Sequence, residues 1–256
     1  MKHSASPAMH NAAMAELGLD WRYLAFDVHP EHLGEALRGA KQMKFAGVNL
    51  TVPHKLLALE MMDELDETAR AWGAVNTVLF EGRAEGQDWR PLGLDEAEDV
   101  LETRTRGFNT DADAITQSIE EDLGIRLPGA SVLLLGAGGA GRTAALKLAS
   151  SGVKKLFLVN RTLSKAEEIA AEIRKRWPEA EVRVGYPEAS VDLVLNATSL
   201  GLRPSDNLPF DPARWSLGKA GAAYDMVYRP AETPFLSQAR QAGCKIANGL
   251  GMLLYQ

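Results

Sequence analysis

The chain has 256 residues, 46% of them hydrophobic and 24% charged, with a formal net charge of -6, the balance of an ordinary globular protein with room for one large core or two modest ones. That charge argues against a nucleic-acid or anionic-membrane partner, because both need a basic face. A lone cysteine, Cys244, excludes an intramolecular disulfide, the five histidines show no metal-ligand spacing, and no apolar run has the form of a leader or the length of a bilayer span, so the expected compartment is the cytoplasm.

In chain order, Ser6-Pro7 predicts a helix start with Ser as N-cap and Pro at the first helical position, and Gly18 closes that helix. Residues 22–28 read as a strand, 30–43 as a helix and 47–52 as a buried strand. Pro53 opens a strand-to-helix turn whose helix runs to residue 65, and residues 74–80 form the next strand. Strands alternating with helices predict a mainly parallel sheet covered on both faces. The charged, glycine-containing stretch 81–106 breaks this rhythm and reads as an exposed hairpin or loop insertion. After Pro128-Gly129 the alternation restarts. Strands are expected at 132–135, 155–159, 182–184, 191–195 and 224–227, with helices up to 150, at 164–177 and at 233–242. Such a restart predicts two α/β domains with a ligand cleft between them.

Gly136-Ala137-Gly138-Gly139-Ala140-Gly141 fits G-x-G-x-x-G directly after an apolar strand and directly before a helix. In that context the first glycine permits the tight turn, the second lets backbone approach a pyrophosphate, and the third allows close helix–strand packing. The helix N-terminus adds N–H donors for the phosphates. The next strand ends at Val159, where a site for NAD would place an acid on the ribose hydroxyl; here stand Asn160-Arg161-Thr162, with Lys165 one turn on. An acid would repel a 2′-phosphate, whereas a guanidinium binds it bidentately, so the cofactor expected is NADP. The bland alternatives are an unliganded turn and a solvated Arg161.

In the first half, Asn49 and Thr51 lie within an apolar strand, Lys55 follows the Pro53 turn, Asn76-Thr77 interrupts the next strand, and Asn109-Thr110-Asp111 stands where the chain crosses into the second half. Side chains at strand C-termini of an open parallel sheet point into the crevice. Ser4, Ser6, Thr51, Lys55, Asn76 and Asp111 can therefore converge on one small polyhydroxylated ligand. Hydride addition to a ketone builds negative charge on oxygen, which needs a proton donor or a fixed cation. An ammonium supplies both, a neighbouring carboxylate positions it, and the hydride chemistry belongs to the nicotinamide. Against this stand plainer readings: Lys55 as a surface charge, Asp111 and Ser6 as helix caps, Asn76 as a turn residue, His54 as packing and Cys244 as a small core residue.

His3-Ser4-Ala5-Ser6-Pro7-Ala8-Met9-His10-Asn11, Asn49-Leu50-Thr51-Val52-Pro53-His54-Lys55 and Gly73-Ala74-Val75-Asn76-Thr77 resemble the substrate-domain motifs of the shikimate dehydrogenase family. Gly107-Phe108-Asn109-Thr110-Asp111, Asn160-Arg161-Thr162, Asn196-Ala197-Thr198-Ser199-Leu200-Gly201, Tyr224-Asp225-Met226-Val227-Tyr228 and Gly249-Leu250-Gly251-Met252 fit it too, in family order from end to end. The resemblance implies a substrate-binding domain over residues 1–110, to which 245–256 return, and a Rossmann-like NADP-binding domain over 111–244. It implies Lys55 and Asp111 as catalytic pair and Ser4, Ser6, Thr51, Asn76, Tyr228 and Gln256 as substrate contacts. Gly136, Gly138, Gly139, Ala140, Gly141 and Arg142 would hold the dinucleotide backbone, and Asn160, Arg161, Thr162 and Lys165 the adenosine end. Thr198, Met226 and Gly249 would complete the cofactor site.

The implied activity is reversible NADPH-dependent reduction of 3-dehydroshikimate to shikimate in aromatic amino-acid (chorismate) biosynthesis, by a monomer or homodimer. The alternatives are a quinate/shikimate dehydrogenase with looser cofactor choice and a catalytically silent ligand-binding homologue. Three departures stand out. Only Met1 and Lys2 precede the first motif, where the family has a strand and a glycine turn; Gln256 is the last residue, where the family continues into a closing helix; and Ala112-Asp113-Ala114 replaces a stretch where glycines are common. The first two carry the expectation of further chain at both ends.

Overall fold

The computed structural model describes residues 4–93, 100–203 and 205–256. Helix α1 (Ser6–Glu16) starts one residue away from the expected cap: Ala5 is the N-cap and no side chain caps the helix. Gly18 closes the turn after it with φ +67°, as expected. Residues 22–28 form no strand and have no ladder partner among the described residues. At Tyr23 both backbone polar groups are taken by the Asn11 side chain, which accepts from its N–H at 2.8 Å and donates to its carbonyl at 2.9 Å, leaving nothing for a ladder.

A short 3-10 turn at Pro30–His32 leads into α2 (Leu33–Gln42), then β1 (Gly47–Asn49) and α3 (His54–Leu57). The helix predicted to reach residue 65 ends early, because Asp63 and Thr105 bind each other through backbone N–H and side-chain oxygens. That clamp sets Glu64–Leu65 as β2. Next come α4 (Glu67–Trp72), β3 (Thr77–Arg83), β4 (Arg90–Pro91) and β5 (Glu102–Phe108).

The first sheet runs β1-β3-β5-β2, with β4 on β3. It is mixed rather than mainly parallel: only β2 and β5 run parallel, and every ladder of β3 is antiparallel. The stretch expected as a loop supplies much of it. Charge masked the periodicity there, since Glu81 faces Arg104 and Arg83 faces Glu102 across the ladder. The guanidinium groups of Arg83 and Arg104 both lie over the Trp89 ring, 4.5 and 4.3 Å from its centroid. Residues 94–99 of that expected loop lie outside the described residues.

Helix α5 (Asp111–Leu123) leads into the second unit: β6 (Ser131–Leu135), α6 (Gly139–Ser150), β7 (Lys155–Val159), α7 (Leu163–Arg176), β8 (Glu181–Val184), β9 (Val191–Asn196), β10 (Ala220–Asp225), α8 (Pro234–Gln241), β11 (Lys245–Asn248) and α9 (Leu250–Tyr255). This sheet is wholly parallel, in the order β11-β10-β9-β6-β7-β8. Along β6, Val132 and Leu134 pack into one core and Leu133 and Leu135 into the other, all at 0% exposure. A strand buried on both faces explains its unbroken apolar run. The segment 245–256, expected with the first unit, instead adds β11 to the second sheet, and only Gln256 at its end reaches Asp111. Among the described residues no helix is long and apolar enough to cross a membrane.

Candidate active site

Three backbone bonds gather the polar residues of the first half. Leu50 N–H donates to the Asn76 carbonyl at 2.7 Å, Val75 N–H to the Lys55 carbonyl at 2.9 Å and Asn76 N–H to the Phe108 carbonyl at 3.0 Å. The end of β1, the turn of α3, the start of β3 and the end of β5 thus meet at the N-terminus of α5. There Lys55 Nζ donates to Asp111 Oδ2 at 2.7 Å, with the two side chains 12% and 1% exposed. Asp111 Oδ1 accepts from Asn76 Nδ2 at 3.0 Å and Gln256 Nε2 at 2.8 Å.

Asp111 is the first residue of α5, after Thr110 at the N-cap, where the helix dipole favours an anion. Its carboxylate is spent on side chains, so the plainer reading as a cap does not describe it. A buried carboxylate with donors on both oxygens is a rigid holder for an ammonium, and that ammonium has three protons to give.

Ser4 Oγ accepts from Ser6 N–H at 3.3 Å. The Ser6 side chain lies near the Tyr23 phenol, whose pKa is raised by burial and lowered in part by Ser6. Ala5 N–H donates to the Tyr228 hydroxyl at 3.1 Å, which links the entry of α1 to the loop after β10. Thr51 is exposed at the end of β1 and makes no side-chain bond among the described residues. His54 has a buried Nδ1 without a partner there. His3 lies outside the described residues.

The order of the second sheet puts its switch point between β6 and β9, where open α/β sheets bind ligands. The glycine loop follows β6 at this point. Gly136 has φ +109°, and a Cβ there would lie 3.0 Å or less from Ala197 and Thr198; a Cβ on Gly141 would lie 2.2 Å from the Gly136 carbonyl oxygen. Around Gly138 the space is open to 4 Å, and at Gly139 only Leu56, at 3.9 Å, comes near. Tight beneath and open above, the loop leaves the first-turn N–H groups of α6 (Gly139, Ala140 and Gly141) facing room for a pyrophosphate. A dinucleotide fits. Leu56 also places the residue after Lys55 against this loop.

The far wall is built on a carboxylate that sequence reasoning missed. Asp225 is fully buried at the end of β10. It accepts from Asn196 Nδ2 at 2.9 Å, Val227 N–H at 3.0 Å and Thr233 Oγ1 at 2.6 Å. Burial pushes its pKa up to about 6, and those hydrogen bonds oppose the shift. Asn196 Oδ1 accepts from the Thr198 hydroxyl at 2.7 Å, its carbonyl accepts from Met226 N–H at 3.0 Å, and a Cβ on Gly249 would lie 2.2 Å from the Met226 carbonyl oxygen. Thr198, Met226 and Gly249 are therefore one wall. An acid ending an apolar strand was the available signal for Asp225.

Arg161 and Lys165 are exposed beyond β7, with no hydrogen bond or ion pair among the described residues. Thr162 is the N-cap of α7 and caps without its side chain. The Asn160 amide joins two loops, accepting from Ala137 N–H at 3.0 Å and donating to the Thr162 carbonyl at 2.8 Å. Arg142 sits elsewhere than expected: its guanidinium binds the Trp72 carbonyl and both oxygens of Glu172. Arg176 joins it on the Ala71 carbonyl and Glu172. Two arginines thus cap the C-terminal carbonyls of α4, the favourable end for cations. The side chain of Arg142 fastens the two halves together, and its backbone N–H is spent on the Gly138 carbonyl at 2.7 Å.

Comparison with known proteins agrees with this geometry. The family described as shikimate dehydrogenase substrate binding domain matches residues 1–78, and that described as shikimate / quinate 5-dehydrogenase matches residues 117–199. The chain is 38% identical to a shikimate dehydrogenase (NADP(+)) of Desulforamulus reducens, covering 100% of this chain and 84% of the relative. This chain belongs to the shikimate dehydrogenase family. A crystal structure of shikimate 5-dehydrogenase from Thermus thermophilus, in complex with NADP(H) and shikimate, superposes with TM-score 0.77 at 37% identity, over 99% of this chain and 85% of that one. A quinate dehydrogenase from Corynebacterium glutamicum in complex with NAD superposes with TM-score 0.77 at 30% identity, over 99% and 86%. One fold therefore serves two ring acids, and the residues of the site must decide between them.

Proposed function

We propose that this protein catalyses the reversible NADPH-dependent reduction of 3-dehydroshikimate to shikimate, with Lys55 as proton donor and acceptor and Asp111 as its holder. The observation that carries the reading is the Lys55–Asp111 pair at 2.7 Å, set beside the glycine loop through Leu56. NADPH, when bound, supplies the hydride to the carbonyl carbon. Lys55 delivers a proton to the carbonyl oxygen as charge develops there, and takes it back in the reverse direction. Asp111 aims the ammonium and accepts from one ring hydroxyl.

Ser4, Ser6, Thr51, Asn76, Tyr228 and Gln256 orient the substrate. The turn at Gly136, Gly138, Gly139, Ala140 and Gly141 holds the pyrophosphate, braced by Arg142, with Thr198, Met226 and Gly249 on the nicotinamide side. Arg161 and Lys165, both free of protein partners among the described residues, take the 2′-phosphate, while Asn160 and Thr162 shape that loop. The substrate-binding unit spans 1–110 and the NADP-binding unit runs from 111 onward, with β11 in its sheet and Gln256 on the Asp111 carboxylate. The enzyme works in the cytoplasm as a monomer or homodimer.

The test is NADP reduction at alkaline pH with shikimate, quinate or no addition. Turnover of shikimate with NADP is expected. Turnover of quinate without shikimate overturns the substrate, and shikimate binding without turnover makes the chain a silent homologue.

A further inference from the structure

The pair at Asp111 is the end of a longer chain of side-chain hydrogen bonds. Tyr23 Oη donates to Asn49 Oδ1 at 3.0 Å, Asn49 Nδ2 donates to Thr77 Oγ1 at 3.0 Å, and Thr77 Oγ1 donates to Asn76 Oδ1 at 3.2 Å. Asn76 Nδ2 then donates to Asp111 Oδ1. None of Tyr23, Asn49 and Thr77 has a role in the reaction described above.

The directions of these bonds are fixed from within the protein. A backbone N–H can only donate, and Thr110 N–H donates to Asn76 Oδ1 at 2.9 Å. That turns the Asn76 amide so that Nδ2 faces the carboxylate and the Thr110 hydroxyl, 2.9 Å away. The opposite orientation would set a carbonyl oxygen against Asp111. Thr77 accepts from Asn49, which commits its own proton to Asn76, and Asn49 accepts from Tyr23. Every donor points toward Asp111, so the bonds polarise one another in the same sense.

The fold holds each link. Asn49 and Thr77 are direct partners in the antiparallel ladder of β1 and β3, close enough for side chains to pair. Tyr23 is held by the Asn11 side chain on both backbone groups and by stacking on His10, with ring centroids 4.5 Å apart. Both residues belong to α1, whose entry carries Ser4 and Ser6.

We infer that Tyr23, Asn49 and Thr77 are positioning residues that act through Asn76 to set the Asp111 carboxylate, and so the aim of Lys55. The inference rests on the proposed reading of Lys55 and Asp111 for its kinetic readout alone. Thr77→Val keeps the β-branched shape and removes the hydroxyl. It is expected to lower kcat with shikimate and NADP by roughly tenfold with KM changed less than about threefold, as befits an interaction that matters in the transition state. Thr77→Ser restores the hydroxyl and is expected to return kcat to within about twofold. Because the residues act in series, Tyr23→Phe is expected to lose less than Thr77→Val, and the double variant no more than Thr77→Val alone.

Losses that multiply in the double variant, or an unchanged kcat in Thr77→Val, overturn the inference. A second readout needs no turnover: the Asn76 side-chain amide protons in an NMR spectrum of the free protein. Slow exchange in the wild type and fast exchange in Thr77→Val support the chain, whereas equal exchange in both refutes it. A wild type inactive on shikimate but showing this contrast sinks the proposed reaction and keeps the network.

Discussion

The two halves of the molecule build their parts of the site from different materials. In the second half the cradle is backbone: glycines packed against Ala197, Thr198 and the Gly136 carbonyl, on a parallel sheet whose central strand is buried on both faces. Where the first half meets the second, the site is a mesh of side chains, Lys55 and Asn76 of the mixed-sheet half on Asp111 at the start of α5 and Gln256 after α9. A backbone cradle fails when atoms are added. A side-chain mesh fails when atoms are removed, and loses function before it loses the fold.

The sharpest test of this contrast is Lys55→Ala. It is expected to lower kcat by about 10³-fold, within the span of general acid–base effects, while shikimate affinity by calorimetry moves far less. An unchanged kcat removes Lys55 from the chemistry. Gly141→Ala tests the other half by adding one carbon 2.2 Å from a carbonyl oxygen. Overpacking of this kind costs about 1–3 kcal/mol, here at the upper end because the neighbour is backbone. Denaturant unfolding should show that loss together with weaker NADP binding, and full NADP affinity would break the comparison.

Arg161→Ala sits between the two cases, a side chain on the backbone half. Charge-assisted bonds contribute about 1.5–3 kcal/mol, so NADP should weaken roughly 10- to 150-fold with NAD unaffected. Equal losses for both cofactors would remove the 2′-phosphate assignment.

The smallest effect is expected at Asp225. Its pKa in the folded protein is about 6 against an ordinary 3.8. A raised carboxyl pKa contributes stability that is full below 3.8 and lost as pH rises through 6. Between pH 5 and 7 that loss is roughly 1 kcal/mol. Asp225→Asn has no such titration, so its stability relative to wild type should rise across that window. A flat difference in guanidinium midpoints would mean that burial does not dominate this carboxylate.

The halves also differed in how far they could be read. The second half follows rules that are local in sequence: an apolar run, a glycine loop, a helix, repeated. The first four strands stand where periodicity put them, and the end of β7 at Val159 was located to the residue. The strand expected at 224–227 instead spans Ala220–Asp225, and β11 had no counterpart in the expectation. The first half followed its pattern only in part. Residues 22–28 look like a strand by composition, yet Asn11, a residue of α1, takes the backbone groups of Tyr23. Residues 102–108 look like a loop by charge, yet Glu81–Arg104 and Arg83–Glu102 pairs make them β5.

Within the site the same division holds. Lys55, Asp111, Asn76, Gly136, Gly138 and Arg161 announced themselves, because a polar residue in an apolar strand or a glycine in a strand–helix turn needs a local reason. Arg142 was expected among the residues around the dinucleotide backbone, and only the structure shows that its guanidinium is claimed by Trp72 and Glu172 from other parts of the chain. Asp225 went unseen, because its role depends on Asn196 and Thr233.

Sequence alone marked the two α/β units and the glycine loop, and it singled out Arg161, Lys55 and Asp111 as candidates, since each rests on residues close together or on a motif. Only the tertiary structure decided that Lys55 and Asp111, 56 positions apart, lie 2.7 Å from each other. It also decided that Asn76 and Gln256 complete the carboxylate, and that a line of donors from Tyr23 ends there. Hydrogen bonds are directional and short-ranged, so which distant partners meet is settled by strand register and helix placement, not by composition.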